Sequence, residues 1–294
     1  MSSKLYSAPG VTLKLTVPSI IAIHGLNGHA YETWTATTDQ NPQTAALVPN
    51  TTPTSSPSSP LPLPNPNDNN RTLWLRDLLP KEVPNTRIFT FGYDARVAGT
   101  KSVSRIPDIA TILLSNISME VDEDRPKPII FICHSLGGIV CKKAIHIAKD
   151  NPDYNPLYRL IRGVVFMGTP HRGADAASLG ALCAAAVKSV GVPVNDKFIR
   201  SLKRGSNDLT DISNSFRNCQ EHLVRIVSFY ELESPIVTQE SANLWSTNEQ
   251  AIGLQANHRD MVKFGTAESP QFKAVGGQIK QLVYRVVHAP PESV

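Results

Sequence analysis

The sequence predicts an α/β fold, a mostly parallel central sheet flanked by helices on both faces. Three observations predict it. Short apolar runs alternate with helical stretches over nearly the whole chain, the order that builds strand–helix–strand units. One run, Pro128-Ile-Ile-Phe-Ile-Cys133, is apolar throughout, as a central strand covered on both faces must be. The stretch after it carries apolar groups at Leu136, Ile139, Val140, Ala144, Ile147 and Ala148, a 3.6-residue stripe that marks the buried face of a helix.

The other elements follow the same logic. Residues 11–17 alternate apolar and polar, the pattern of an additional edge strand. Residues 19–24 and 86–91 are strand candidates upstream of the central run, and 162–167 and 223–230 lie downstream. Residues 73–79 form a short helix that Pro80 is expected to end, and Pro107 marks a turn or kink in a helix over 102–117. Helices over 136–149 and 271–288 complete the set.

A length of 294 residues suggests two domains at about 150 residues each. Two segments bear on that count. Eight Pro fall between Gln40 and Asn70, interleaved with Ser, Thr and Asn. Such a composition buries too little apolar area to offset its ordering entropy. Residues 40–70 therefore read as a flexible insertion, not a boundary, because the strands before it need those after it; residues 1–294 form one domain. Residues 174–216 begin with an Ala-rich run and exceed what a crossover needs, about a dozen residues. They are a candidate cap or lid, with an ordinary packed helical excursion as the alternative.

Composition narrows the function classes. Hydrophobic residues at 41% against 18% charged exclude wholesale disorder, and a net charge of +4 gives no support to a nucleic-acid partner. No apolar run approaches the roughly 18 residues of a membrane span. Residues 1–10 hold one Lys and no apolar core, unlike a secretory signal. Four Cys, at 133, 141, 183 and 219, make no disulfide framework, which fits a reduced, cytoplasmic protein.

The segment Cys133-His-Ser-Leu-Gly-Gly138 carries the chemistry. It joins a buried strand to an amphipathic helix, the context of a nucleophile elbow. There a serine on a strained turn exposes its hydroxyl above the sheet, and its neighbours must be small. Gly137 and Gly138 fill the downstream positions, while Cys133 replaces the usual upstream glycine. Ser135 is the candidate nucleophile. Such a serine needs oxyanion donors and a base. The Leu136 amide, opening the helix, is one donor. The other is placed at Leu26, in the loop His24-Gly-Leu-Asn-Gly28 after an earlier strand.

The triad order Ser, acid, His places the base after residue 135. Among the eight His, His258 in Asn257-His-Arg-Asp260 occupies a late loop just before a helix, where a base belongs. His171, in Gly168-Thr-Pro-His-Arg-Gly173, precedes any acid and reads as site-lining or loop-fixing; His24, Gly25 and His134 are also placed at the site. The acid is expected at Glu231, directly after the last strand candidate, with Glu240 next and Glu233 as a further rival. No metal-ligand spacing emerges, and no cofactor is called for. Lys142 and Lys143, with Lys127 and Arg125, read as solvated charges.

A resemblance adds to this. His24-Gly-Leu-Asn-Gly28 with Trp34, Trp74-Leu-Arg-Asp-Leu-Leu-Pro80, Phe91-Gly-Tyr-Asp94, Phe131-Ile-Cys-His-Ser-Leu-Gly-Gly138, Gly168-Thr-Pro-His-Arg-Gly173 and Asn257-His-Arg-Asp260 occur in that order. This set resembles the lipase-like α/β-hydrolases related to the serine-active-site-containing proteins and glycosylphosphatidylinositol-inositol deacylases, and more closely the fungal Ses-B type domains. The resemblance implies an α/β-hydrolase fold and a lipid- or ester-directed hydrolase in fungal immunity and cell death. It further implies a partnership with a NOD-like receptor, separate or fused; transient membrane contact is compatible with the lack of a spanning run. In that family a Cys before the His-Ser pair is common, while the Pro-rich stretch departs from the usual short connection.

Overall fold

The all-apolar run becomes the middle strand of a seven-stranded sheet in the computed structural model, which describes residues 4–7, 18–37, 70–95, 106–122, 124–171 and 206–289. The strands are β1 (Lys4–Ser7), β2 (Ser19–Ile23), β5 (Arg87–Gly92), β6 (Ile129–His134), β7 (Ile161–Met167), β8 (Arg225–Glu231) and β9 (Glu249–Leu254). They lie in the order β1-β5-β2-β6-β7-β8-β9. Only β1, against β5, runs antiparallel among these pairs. A separate two-stranded sheet pairs β3 (Thr35–Thr37) with β4 (Arg71–Leu73).

Helices cover both faces. They are α1 (Trp74–Asp77), α2 (Leu79–Glu82), α3 (Ile106–Glu120), α4 (Leu136–Asp150), α5 (Asn155–Leu160), α6 (Ser206–Arg217) and α7 (Pro270–His288). Successive side chains of a strand point to opposite faces, so β6 divides its apolar residues between two cores. Ile130 and Ile132 pack toward Phe272, Val275, Ile279 and Leu282 of α7. Phe131 and Cys133 pack toward Leu113, Val140, Cys141 and Ala144 of α3 and α4. That double burial is why this strand carries no polar residue before its end.

Some elements differ from expectation. Pro80 does not end a helix; it sits in the first turn of α2, where its missing N–H leaves no intrahelical bond unmade. Pro107 likewise lies in the first turn of α3, within the described part of that helix. β1 and β9 were not foreseen. β9 is half-exposed along most of its length, so it lacks a continuous apolar run. Residues 11–17 lie outside the described residues, as do 174–205 of the cap candidate and 40–69 of the insertion. At the C-terminal end of the cap candidate, Ile212 and Phe216 of α6 are buried, and Phe216 meets Phe166 of β7 edge-on at 6.1 Å.

The insertion is flanked by paired strands, with Thr37 opposite Arg71. The domain therefore holds its ends together independently of what lies between them. Replacing residues 42–69 with a short Gly/Ser linker is expected to change the Tm little, since loop-closure entropy grows only slowly with length. A large fall in a thermal melt would show that the segment contributes to the core.

The chain steps from β2 out to β5 and then back across to β6. In a parallel sheet such a reversal opens a crevice at the carboxyl ends of the two strands. His24 follows β2 there and Ser135 follows β6.

Candidate active site

Ser135 adopts φ 53° and ψ −123°, a region that residues with a Cβ rarely enter. The strain is on the order of 1–3 kcal/mol, and neighbouring contacts hold it. The Ser135 N–H donates to Met167 O at 2.9 Å, and Ser135 O accepts from Gly138 N at 3.0 Å and Thr169 Oγ1 at 3.2 Å. The sharp turn also forces small neighbours. A Cβ on Gly25 would stand 2.7 Å from the Ser135 Cβ, one on Gly137 2.4 Å from Ile23 O, and one on Gly138 2.2 Å from Thr169 Oγ1. Cys133 is tolerated in place of glycine because its side chain points into the α3–α4 core.

The carboxyl ends of β8 and β7 frame the candidate base. His258 Nδ1 is hydrogen-bonded to Glu231 Oε1, and Glu231 Oε2 accepts from the Ile236 N–H at 2.6 Å. The Glu231 side chain is 0% exposed and that of His258 12%. With Nδ1–H donating to the carboxylate, the lone pair of the ring lies on Nε2. Of the rival acids, Glu240 is exposed, and exposed Glu233 accepts from Gln255 Nε2. No hydrogen bond joins Ser135 Oγ to His258 among the described residues. Such contacts commonly tighten only when substrate binds.

Gly168, directly after β7, is the position sequence reading missed. Its φ is +59°, and a Cβ there would come within 2.9 Å of both His258 Nδ1 and Met261 Sδ. Gly168→Ala is expected to lose about 1–2 kcal/mol through backbone conformation alone. It should also lower any turnover roughly 100-fold by pushing the imidazole aside. Urea unfolding and esterase assays measure the two effects separately; unchanged turnover would show that the ring tolerates the shift.

The loop after β2 is held from beneath by a buried histidine. His24 Nδ1–H donates to Gly25 O at 2.9 Å, while Nε2 accepts from the Tyr93 N–H at 3.2 Å. Tyr93 also donates its hydroxyl to His24 O at 2.9 Å, with the two rings stacked at 4.3 Å. Burial lowers the His24 pKa to about 4, so the ring stays neutral. The amides of Asn27 and Gly28 are occupied by Ala95 O and Gly25 O. The Leu26 amide and the Leu136 amide, which is first in α4, take no backbone acceptor among the described residues. Helix N-termini leave such donors free for an anion.

His171 is buried, and its N–H donates to Ser241 O at 2.6 Å. Its ring meets Phe166 edge-on at 4.5 Å, which fits loop fixing. Neither ring nitrogen has a hydrogen-bond partner among the described residues, and burial holds its pKa well below the ordinary value. Lys142 corrects an expectation. It is not a solvated charge but 0% exposed, with Nζ 3.3 Å from Ser213 Oγ, 6.0 Å from the Phe166 ring centroid and 5.9 Å from that of Phe216. It lies on the inner face of α4, where α6 covers it, and burial lowers its pKa to about 7. No group of three His, Cys, Asp or Glu is placed to hold a metal among the described residues. No described helix is long and apolar enough to cross a membrane.

Solved structures share this architecture. A fungal esterase from Rhizomucor miehei is 13% identical and superposes with a TM-score of 0.53, covering 97% of this chain and 83% of its own. A monoacylglycerol lipase from Paleococcus ferrophilus is 12% identical with a TM-score of 0.50, covering 97% and 100%. This is the α/β-hydrolase fold. By sequence, the chain is similar to protein SERAC1 of Mus musculus, 29% identical over 159 residues, which are 52% of this chain and 22% of that protein. SERAC1 of Danio rerio is 26% identical over 164 residues, 54% and 24% of the two chains. The chain thus matches under a quarter of the length of these relatives. No protein-family profile matches it.

Proposed function

We propose that the chain is a serine hydrolase that cleaves carboxylic esters through an acyl-enzyme. The observation that carries this reading is the buried Glu231–His258 pair beside a serine held at positive φ. A purely structural turn has no need of an oriented imidazole next to it. In the mechanism, Ser135 Oγ attacks the ester carbonyl carbon while its proton passes to His258 Nε2. Glu231 stabilises the imidazolium that forms. The Leu26 and Leu136 amides hold the oxyanion. Collapse breaks the carbon–oxygen bond of the ester, and the leaving alcohol takes the proton from Nε2. Water then attacks the acyl-serine, giving its proton to His258, and the acid leaves as Ser135 recovers its hydrogen.

The likeness to SERAC1 and the ordered motifs support a lipid-related ester as substrate. The resemblance of the ordered motifs to the fungal Ses-B type domains is the ground for work in fungal immune or cell-death signalling with a NOD-like receptor as partner, and four cysteines without a disulfide framework are the ground for the cytoplasm. A module of this fold with little turnover is the rival, favoured by the missing Ser135–His258 hydrogen bond. A fluorophosphonate probe distinguishes them. Covalent labelling mapped to Ser135 is expected; a folded protein that stays unlabelled would overturn the enzyme reading.

A further inference from the structure

The residue before the candidate nucleophile reaches the loop of the base. His134 Nε2 lies 2.9 Å from the backbone oxygen of His258, 124 residues away in sequence. A carbonyl only accepts, so His134 must be the tautomer with its hydrogen on Nε2. The two imidazoles sit with centroids 4.9 Å apart, tilted by 38°. On its other side, His134 faces the oxyanion loop: a Cβ on Gly25 would stand 3.0 Å from His134 O and 3.3 Å from its Nδ1. One side chain therefore touches both the base and the loop that carries Leu26, while its backbone leads into Ser135.

We propose that His134 is a positioning residue, a neutral hydrogen-bond donor that sets the separation of Ser135 and His258. This rests on the serine-hydrolase reading. Glu231 holds the His258 ring through Nδ1, and His134 holds its main chain. Two mounts fix where Nε2 points; with only the first, the ring can swing about the carboxylate. The mount must also be uncharged, because His258 becomes a cation during acylation and a second cation at this distance would oppose it. Burial and the neighbouring His258 keep the His134 pKa down at about 3, so the ring stays neutral.

The test compares His134→Ala, His134→Leu and His134→Gln with wild type. The glutamine amide can donate to the same carbonyl, whereas leucine fills the space without donating. Ala and Leu are expected to lower kcat about 100-fold, the scale of a misplacement near 1 Å, with KM little changed. They should also broaden or shift the low-field proton resonance of the Glu231–His258 bond. Gln should restore most of both. Should Ala not fold, the Leu–Gln contrast carries the comparison. Wild-type kcat and resonance in Leu, or Gln no better than Leu, would overturn the positioning role while leaving the hydrolase reading intact. Failure of wild type itself to react with the fluorophosphonate probe would instead overturn the hydrolase reading, and this inference with it.

Discussion

Ser135→Ala is expected to abolish fluorophosphonate labelling and lower ester turnover roughly a millionfold, the scale seen when the nucleophile of a triad is removed. The fold should survive. Alanine keeps the Cβ and meets the same constraint at φ 53°, so the strain neither grows nor relaxes. The bonds that hold the turn run through the backbone, from Ser135 N to Met167 O and from Gly138 N and Thr169 Oγ1 to Ser135 O. The hydroxyl takes no part in them, so thermal melting and circular dichroism should match wild type. Labelling that persists in the alanine variant would place the nucleophile elsewhere and remove the basis of the mechanism.

Glu231→Gln should rank second, with a loss of roughly 10⁴-fold in kcat, as when a triad acid becomes an amide. The cause is the number of acceptors. Glu231 uses one carboxylate oxygen for His258 Nδ1–H and the other for the Ile236 N–H. An amide has one oxygen and one NH2. If the oxygen serves Ile236, the NH2 faces Nδ1 and favours the tautomer with hydrogen on Nε2, which cannot take the serine proton. If the oxygen serves His258, two donors meet where 2.6 Å now separates donor from acceptor, and the loop must shift. Neither arrangement supplies the negative charge that stabilises an imidazolium. Glu240→Gln, at an exposed position, is the control and should leave turnover unchanged. The reverse ranking would move the acid to Glu240.

Much of this was legible because the chemistry is local in sequence or ordered along it. The Cys133 to Gly138 segment declares its turn through small residues after an all-apolar strand. Glu231 follows from standing at the last residue of β8, at the carboxyl edge of the sheet. What could not be read depends on partners distant in the chain. The need for glycine at 168 appears only once His258 and Met261 are known to lie against it. Lys142 looks like any surface lysine until α6 and two aromatic rings are laid over it. A proline three residues past the end of α1 is also the second residue of α2, so Pro80 was ambiguous by pattern alone.

That covered lysine makes the molecule its own reporter. An amine-acylating reagent that modifies exposed lysines quickly cannot reach Nζ of Lys142 while α6 stays seated. Each modification at this position would therefore record an opening event. Its rate, followed by mass spectrometry beside that of an exposed lysine such as Lys280, measures how often the helix lifts from α4. If ligands that fill the crevice above Ser135 slow this reaction, motion of α6 is coupled to occupancy of the site, and the coupling can be read from the native chain without any added label.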